Sequence, residues 1–270
     1  MSKALQISQN TKTIVSMNPN ITPYWYENNL LNGIDVTTPI YKFMPLQYVL
    51  SMIQNQKLAI QRINEWDDVY ENFVLKQNYT LSDGTPIKVE KQAENVFGQS
   101  WTICPETDAM WRIYSPKPEY NAIRIKTTVE KLYDTLFQSD SNMADTYIGL
   151  VQYKAQKDIE AAILSLSPLD VIDFLSVVFN GAFIKRTEFS HEQEVRIVRI
   201  LDSEQSTKTG ELLYFPINSQ FIEELCIDPR ASDQITQQLT NDLVNAGASP
   251  NIITKSSLYQ FNANSIVFKN

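Results

Sequence analysis

Two hydrophobic rhythms alternate along the chain, and each predicts a different kind of element. Short runs rich in β-branched and aromatic residues are typical of strands. They lie at 40–43, 58–63, 97–103, 122–126, 147–153, 195–201, 212–217, 222–227 and 264–268. Apolar residues spaced three and four apart predict helices that begin near Pro45 and Thr127 and that span 168–179 and 233–246.

The predicted helices carry sequence signals at their ends. Thr127 and Glu130 have the spacing of a capping box, and Ser167 precedes a proline that suits the first turn of a helix. Ser232 is the predicted N-cap of the last helix, and Gly247 lies just beyond its end. These signals support the boundaries of three helices independently of their periodicity.

The order of the elements predicts the fold class and the domain organisation. Strands and helices are interspersed without a regular βαβ rhythm, which favours an α+β fold with mostly antiparallel sheets and flanking helices. Residues 1–36 are polar, with aromatic residues at 24–26, and we predict an N-terminal arm that docks through those rings. No linker or repeat interrupts 37–270, which we predict to be a single domain.

Composition argues against several classes of site. The chain has only 7 glycines and no glycine-rich phosphate loop. Because His191 is the single histidine, the chain offers few ligands for a conventional zinc site and only one possible base for a Ser-His-Asp triad. Cys104 and Cys226 are far apart in sequence, and we expect both to be free, buried thiols.

The charge and the hydropathy of the chain indicate which partners it binds and in which compartment of the cell it lies. The formal net charge is −8, and an acidic chain repels nucleic-acid backbones unless a local basic patch intervenes. The first residues lack the hydrophobic core of a signal peptide, and no apolar stretch approaches about 20 residues. These features predict a cytoplasmic protein without a membrane segment.

The segment 189–198 holds the strongest candidate for chemistry. Glu192, Glu194 and Arg196 alternate at the start of a predicted strand, so we expect all three side chains on one face. Such a strip is either the solvated face of a strand or the lining of a site. Arg196 either joins that lining or pairs with Glu194 and holds it in place.

Three more blocks precede this segment in the chain. They are Tyr41-Lys42-Phe43 through Arg62, Phe97 through Thr102, and Asp108 through Tyr114. In this order the blocks resemble an uncharacterised bacterial family, a domain of unknown function with YK[YF], ND, [FQ]S, MWxxY and ExExR motifs. The resemblance spans roughly residues 40–230, and the turn at 64–71 matches the family pattern loosely.

The same blocks are distantly similar to ADP-ribosyltransferases. Tyr41-Lys42, Ser100-Trp101-Thr102 and Glu192-Gln193-Glu194 follow one another as in one branch of that family, with a strand–helix–strand at 40–63. Lys42 stands where Arg or His is usual. The resemblance implies an ADP-ribosyltransferase-like fold and NAD as the substrate.

The resemblance also implies roles for the candidate residues. Glu194 would be the main catalytic carboxylate, and Glu192 would act towards the incoming nucleophile. The implied NAD contacts come from Tyr41, Lys42, Ser100, Trp101, Tyr114 and Arg196, with Lys42 on phosphate or ribose and Trp101 or Tyr114 stacked on nicotinamide. The acceptor would be an unknown protein or nucleic acid, in a toxin-like role in conflict with phages and with room for a regulatory partner.

Other interpretations of these residues stay open. The pocket could bind a nucleotide or peptide without turnover, or Asp67, Asp68, Glu192 and Glu194 could serve a metal-dependent nucleotide hydrolase. The transferase hypothesis itself requires no metal. Asp67, Asp68 and Glu71 could bind a divalent ion, although irregular acidic loops are usually solvated. Met110, Trp111 and Tyr114 are more typical of core packing.

Overall fold

The computed structural model describes residues 29–261 apart from 67, 69, 72, 90–93, 118, 140–145, 174–180 and 202–210, with the backbone alone at 137–139. The aromatic residues at 24–26, Asp67 and the predicted strand at 264–268 therefore lie outside the described residues. The predicted helix from 168 to 179 ends at Ile172, because Asp173 has extended backbone angles, and 174–179 are not described.

Strands and helices are interspersed along the described residues. The strands are β1 (Leu30–Leu31), β2 (Pro39–Pro45), β3 (Lys57–Arg62), β4 (Tyr79–Thr80), β5 (Pro86–Ile87), β6 (Val96–Thr102), β7 (Ala122–Thr128), β8 (Thr146–Leu150), β9 (Gln152–Lys154), β10 (Ile184–Arg186), β11 (Glu194–Ile200), β12 (Leu213–Pro216), β13 (Glu224–Ile227) and β14 (Ile253–Lys255). The α-helices are α1 (Leu46–Asn55), α2 (Asp108–Tyr114), α3 (Val129–Ser139), α4 (Gln156–Leu164), α5 (Pro168–Ile172) and α6 (Asp233–Asn245). Short 3-10 turns include Phe73–Lys76 and Thr187–Glu192.

One large sheet organises the fold. Its strands run in the order β1-β8-β11-β6-β2-β7-β13-β14, and β3 with β12 branches from β6. The inner pairs are antiparallel, whereas β1 pairs with β8 and β13 with β14 in parallel. The sheet is therefore mixed, which corrects the expectation of a mostly antiparallel one. The β13–β14 pair is parallel because α6 carries the chain back across the sheet.

Two hydrophobic clusters cover the two faces of the sheet. The larger one includes helix residues from α1, α3 and α6, and the smaller one includes residues of α4 and of the turn at Phe73–Lys76. β11 is buried along its whole length: Ile197 belongs to the first cluster and Val198 to the second. Because side chains alternate along a strand, Arg196 lies on the same face as Val198. An arginine is therefore placed inside the smaller core.

Helix ends follow the predicted signals at three positions and depart from them at one. Ser167 forms a capping box with Asp170, and Ser232 Oγ accepts a hydrogen bond from the Ile235 amide at 3.2 Å. Gly247 has a φ of +110°, as the end of a helix requires. The predicted cap at Thr127 is wrong: Thr127 is buried in β7 and donates to the Phe221 carbonyl, and the Thr128 hydroxyl accepts from the Lys131 amide instead.

Candidate functional site

A deep cleft of about 1440 Å³ opens where β2, β6 and β11 lie side by side. Its walls come from α1, α2, β3 and the turn at Thr187–Glu192. Seven of the residues predicted for the site line it, namely Tyr41, Lys42, Ser100, Trp101, Tyr114, Glu192 and Glu194. Residues from blocks that are far apart in sequence thus meet at one cleft.

Strand register explains why these blocks meet. β6 lies between β2 and β11, so that Tyr41 and Glu194 both pair with Thr102. The Lys42 ammonium donates a hydrogen bond to the Ser100 carbonyl at 2.7 Å. Ser100 pairs with Arg196 across the other edge of β6. The central strand therefore sets the distance between the lysine and the carboxylate.

Glu194 lies at the base of the cleft and is 4% exposed. Burial by itself would raise the pKa of this carboxyl, but Arg196, Lys185 and a hydrogen bond from Ser100 lower it below its ordinary value. The Tyr153 hydroxyl accepts a hydrogen bond from the Glu194 amide at 2.8 Å. Glu194 is therefore a charged carboxylate whose backbone and side chain are both held.

The structure places Arg196 behind Glu194 and not on the wall of the cleft. The guanidinium is fully buried, donates to Glu71 at 2.7 Å and to the Ala182 carbonyl at 2.7 Å, and lies 4.5 Å from the centroid of the Trp66 ring. The guanidinium does not line the cleft, so the expected direct contact of Arg196 with NAD gains no support from this geometry. Of the two expectations for Arg196, the structure supports the pairing with Glu194.

Glu192 reaches the cleft by a different route from the one predicted. β11 begins at Glu194, Glu192 ends a 3-10 turn, and Gln193 between them has a left-handed φ of 43°. The period-two argument is therefore wrong for Glu192. Its carboxylate is brought back to the site by Lys185, whose ammonium lies 2.6 Å from Glu192 Oε2.

Sequence reasoning missed Lys185 as a site residue and gave Glu71 only as a member of an acidic loop. Lys185 on β10 lies 3.0 Å from Glu71, in addition to its contact with Glu192 and a 3.5 Å contact with Glu194. Glu71 is only 6% exposed, so its interpretation as a solvated loop residue is wrong. We name Glu71, Lys185, Glu192, Glu194 and Arg196 the ionic cluster. Periodicity gave no signal for Glu71, because it lies in a turn between strands.

Lys42 has an unusual environment for an ammonium group. It is half-buried, and desolvation lowers its pKa to about 8, although the charge of Glu194 acts in the opposite direction. The side chain is thus an amine that exchanges its proton close to neutral pH. An anionic ligand in the cleft would favour its charged form.

The aromatic candidates separate into core and cleft residues. Trp101 is 2% exposed, donates from its indole to Gln99 at 2.8 Å and packs edge-on against Phe221. Tyr114 is 37% exposed and stacks on Phe43 at 6.0 Å between ring centroids. Burial, and then the negative charge of Glu192, raises the pKa of Tyr114. Tyr114 is therefore the better placed of the two to stack on a ligand.

Core packing is confirmed for Met110 and Trp111, the other two residues of α2 that were predicted to lie in the core. Met110 and Trp111 are 4% and 0% exposed, and both pack with Phe43 and Cys226. The Trp111 indole donates to Glu106 at 2.8 Å. Cys104 and Cys226 are free and buried, as expected.

Further cations and aromatic rings line the outer part of the cleft. Tyr48 and Tyr214 are more than half exposed, and the Lys57 ammonium lies 5.9 Å from the centroid of the Tyr214 ring. On the other side, Arg186 lies over the Phe189 ring at 5.2 Å and pairs with Asp68 at 3.2 Å. The cleft thus offers further stacking surfaces and positive charges.

The acidic residues of the site are engaged by cations. Asp68 pairs with Arg186, and the three carboxylates of the ionic cluster face Lys185 or Arg196. Within the described residues, no three His, Cys, Asp or Glu side chains form a group that could hold a metal ion. The arrangement gives the metal-dependent hydrolase hypothesis no support.

Among the described helices, none has both the length and the apolar character needed to cross a bilayer.

Comparison with known proteins yields only remote structural likeness. No family model and no curated protein matches the chain, so the resemblance to the bacterial family stays a prediction. Solved structures of DarT from Thermus sp. 2.9 are similar at 11% identity. The complex with NAD⁺ has a TM-score of 0.38 over 82% of this chain and 96% of that one, and the complex with ADP-ribosylated ssDNA has 0.38 over 83% and 97%. A likeness at this level carries no argument on its own.

Proposed function

We propose that the protein is an ADP-ribosyltransferase-like enzyme that uses NAD as its substrate and transfers ADP-ribose to a macromolecule. One observation carries the proposal: a charged, immobilised carboxylate, Glu194, lies at the base of a cleft of about 1440 Å³. Clefts for drug-sized ligands usually measure about 300–1,000 Å³, so this one suits a longer ligand such as a dinucleotide.

The proposed reaction breaks the bond between the ribose and nicotinamide. The bonding electrons leave with the nicotinamide ring, and positive charge develops on the ribose. Glu194 would stabilise that charge. This stabilisation is strongest when the carboxylate is already in position and needs no reorganisation. Arg196 supports this role, because it holds both carboxylate oxygens from the side away from the cleft.

The remaining cleft residues are assigned by their chemistry. Lys42 would contact a phosphate or the ribose, and Tyr114 would stack on nicotinamide beside Tyr41. Glu192 would accept the proton of the attacking nucleophile as the new bond to the ribose forms. Ser100 would shape the pocket next to Glu194. In this scheme Trp101 supports the floor of the cleft from within the core.

The acceptor class and the biological setting belong to the proposal as well. We infer an acceptor that is a protein or a nucleic acid, and a toxin-like role in the cytoplasm, in phage defence and under the control of a regulatory partner. This part is supported by the motif resemblance alone. It predicts that expression in bacteria slows growth and that Glu194→Gln relieves the effect.

The decisive experiment follows nicotinamide and ADP-ribose separately. The protein is incubated with NAD labelled in its adenylate half, together with bacterial lysate, purified protein fractions or single-stranded DNA. Nicotinamide release with label entering a macromolecule is the expected result, and Glu194→Gln should reduce both by about 10²–10³-fold. Glu188→Gln, at an exposed glutamate of the 3-10 turn that precedes Glu194, serves as the matched control. Wild-type protein that never binds or cleaves NAD would overturn the proposal.

A second candidate, a binding module without turnover, is favoured by the same ionic cluster. Both oxygens of Glu194 already accept hydrogen bonds from Arg196, as in a structural pair. In that case NAD or another nucleotide would bind, no nicotinamide would appear, and Glu194→Gln would change the stability of the protein and leave binding intact.

A further inference from the structure

Lys185 holds a position in the cleft that none of the proposed roles explains. It lies on β10, is 8% exposed and lines the cleft, whereas Arg196 does not. Its ammonium is within 4 Å of three carboxylates, those of Glu192, Glu71 and Glu194, at 2.6, 3.0 and 3.5 Å. A single cation is thus in contact with both of the proposed catalytic carboxylates.

The charge of Lys185 is secured by these contacts. Burial alone would lower the pKa of the ammonium, but Glu194, Glu71 and Glu192 raise it well above its ordinary value. The ring of Phe189 lies 4.7 Å from the ammonium and covers it. These contacts therefore favour the charged form of Lys185, in contrast to Lys42.

The two carboxylates depend on Lys185 to different degrees. Glu194 is also held by Arg196 and Ser100. For Glu192, the described residues supply one ion pair, that with Lys185, while its backbone carbonyl accepts from the Thr102 hydroxyl at 2.6 Å. Losing Lys185 would leave the Glu192 backbone in place and release its carboxylate.

We propose that Lys185 is a positioning residue that holds the carboxylates of Glu192 and Glu194 in place through direct contacts, and that it thereby controls both the acid limit of the reaction and the share of ADP-ribose that reaches an acceptor. The proposal rests on the proposed function. Neither effect requires Lys185 to touch the reacting atoms.

The acid limit, the pH below which activity is lost, is set by the charged groups that face Glu194. Protonation of Glu194 would stop the reaction, so every cation near it lowers the pH at which activity is lost. An opposite charge within about 4–6 Å commonly lowers a carboxyl pKa by about 1–3 units. The charged and titratable groups around Glu194 are Arg196 on its own strand, Lys185 on β10, Lys42 on β2, Tyr153 on β9, Tyr114 on α2, and Glu71 and Glu192.

The first test compares pH profiles of nicotinamide release for Lys185→Met and Lys185→Arg. Methionine keeps most of the length of the side chain and removes the charge, so the acid limb should move to higher pH by about one unit or more. Arginine keeps the charge and should restore the acid limb of the wild type. A merely structural lysine would lower activity at every pH and leave the limb where it is.

The second readout is the ratio of transfer to hydrolysis. Lys185→Met should reduce transfer to the acceptor by several-fold more than it reduces NAD hydrolysis, because Glu192 is assigned to the nucleophile of the macromolecular acceptor, whereas water can attack the ribose without it. Equal losses of both activities would overturn this part of the proposal. Glu188→Gln should change neither the acid limb nor the ratio.

A measurement that needs no turnover separates failure of the proposed function from failure of the positioning role of Lys185. If the wild type releases no nicotinamide, the ¹³C signals of the glutamate carboxyls and the ¹⁵Nζ signal of Lys185 still report their titration by NMR. We expect Glu194 to titrate below the ordinary glutamate range and to move up in Lys185→Met, or in Lys185→Gln if the methionine variant does not fold. An ordinary titration of Lys185, or a Glu194 signal that ignores its loss, would refute the positioning role.

Discussion

The Arg196 guanidinium donates to both carboxylate oxygens of Glu194, with Nε 3.0 Å from Oε1 and Nη2 2.9 Å from Oε2. The two residues stand two positions apart on β11, so the strand itself holds them on one face. Because the guanidinium is fully buried, the carboxylate is oriented by a partner that solvent does not reach. Stability and the proposed chemistry are therefore coupled at Glu194.

Glu194→Gln should lower nicotinamide release by about 10²–10³-fold, since one preorganised electrostatic contact commonly contributes that much. It should also destabilise the protein. Breaking a buried ion pair costs about 3–5 kcal/mol, and the glutamine oxygen that still accepts from Arg196 favours the lower end. Thermal melting and nicotinamide release are measured on the same samples below the melting transition. A folded variant with undiminished release would show that Glu194 is only structural.

Trp111→Ala should destabilise the protein by about 3–5 kcal/mol, the usual range for removing a buried tryptophan. Trp111 is fully buried and meets the Phe43 ring edge-on at 4.8 Å. Urea unfolding measures the change, with Ile113→Ala on the exposed side of the same helix as the control. An unchanged midpoint combined with lost ligand binding would make Trp111 a binding residue and not a core residue.

Gly98→Ala should displace the Trp66 ring, which packs against the Arg196 guanidinium. A Cβ at this position would lie 2.8 Å from the Ile197 carbonyl and 3.0 Å from the Trp66 ring. The backbone contact cannot yield easily, so overpacking should cost about 1–3 kcal/mol. Trp66 fluorescence, read in a background in which the other tryptophans are phenylalanine, should shift as the indole leaves the guanidinium. Wild-type stability and emission would show that the site has more room than the distances indicate.

Lys42 should make stability depend on alkaline pH. Its pKa in the folded protein is lowered to about 8 from an ordinary value of 10.5, so the unfolded chain holds more protons between these values. Stability therefore rises with pH across this window, relative to Lys42→Met, which carries no such group. Urea unfolding at pH 7, 8, 9 and 10 measures the difference. Parallel curves for the two proteins would contradict the desolvation of Lys42.

Lys42 should also make ligand affinity pH-dependent. An anionic phosphate near the amine favours its charged form, so NAD binding should weaken as pH rises above about 8, by up to roughly tenfold per unit. In Lys42→Arg the charge persists, and the loss above pH 8 should disappear. Calorimetry at pH 7 and 9 compares the two proteins. Identical pH dependence would place the phosphate away from residue 42.

Much of the local structure could be predicted from the sequence, because local rules control it. β-branched runs predicted the central strands, and helix ends were marked by Ser167 and Ser232. The alternation of Glu194 and Arg196 on one face follows from strand geometry alone and is confirmed. The same rule failed for Glu192, because the left-handed backbone of Gln193 breaks the strand between the two glutamates.

The composition of the ionic cluster was decided by tertiary packing. Glu71 and Arg196 are 125 residues apart in sequence, and Glu71 reaches the arginine only when its turn folds against the smaller core. Lys185 likewise meets three carboxylates through the placement of β10 beside the turn that ends at Glu192. Local periodicity shows which residues share a face, but a buried charge requires compensation in three dimensions, and the partners that provide it are chosen by long-range packing.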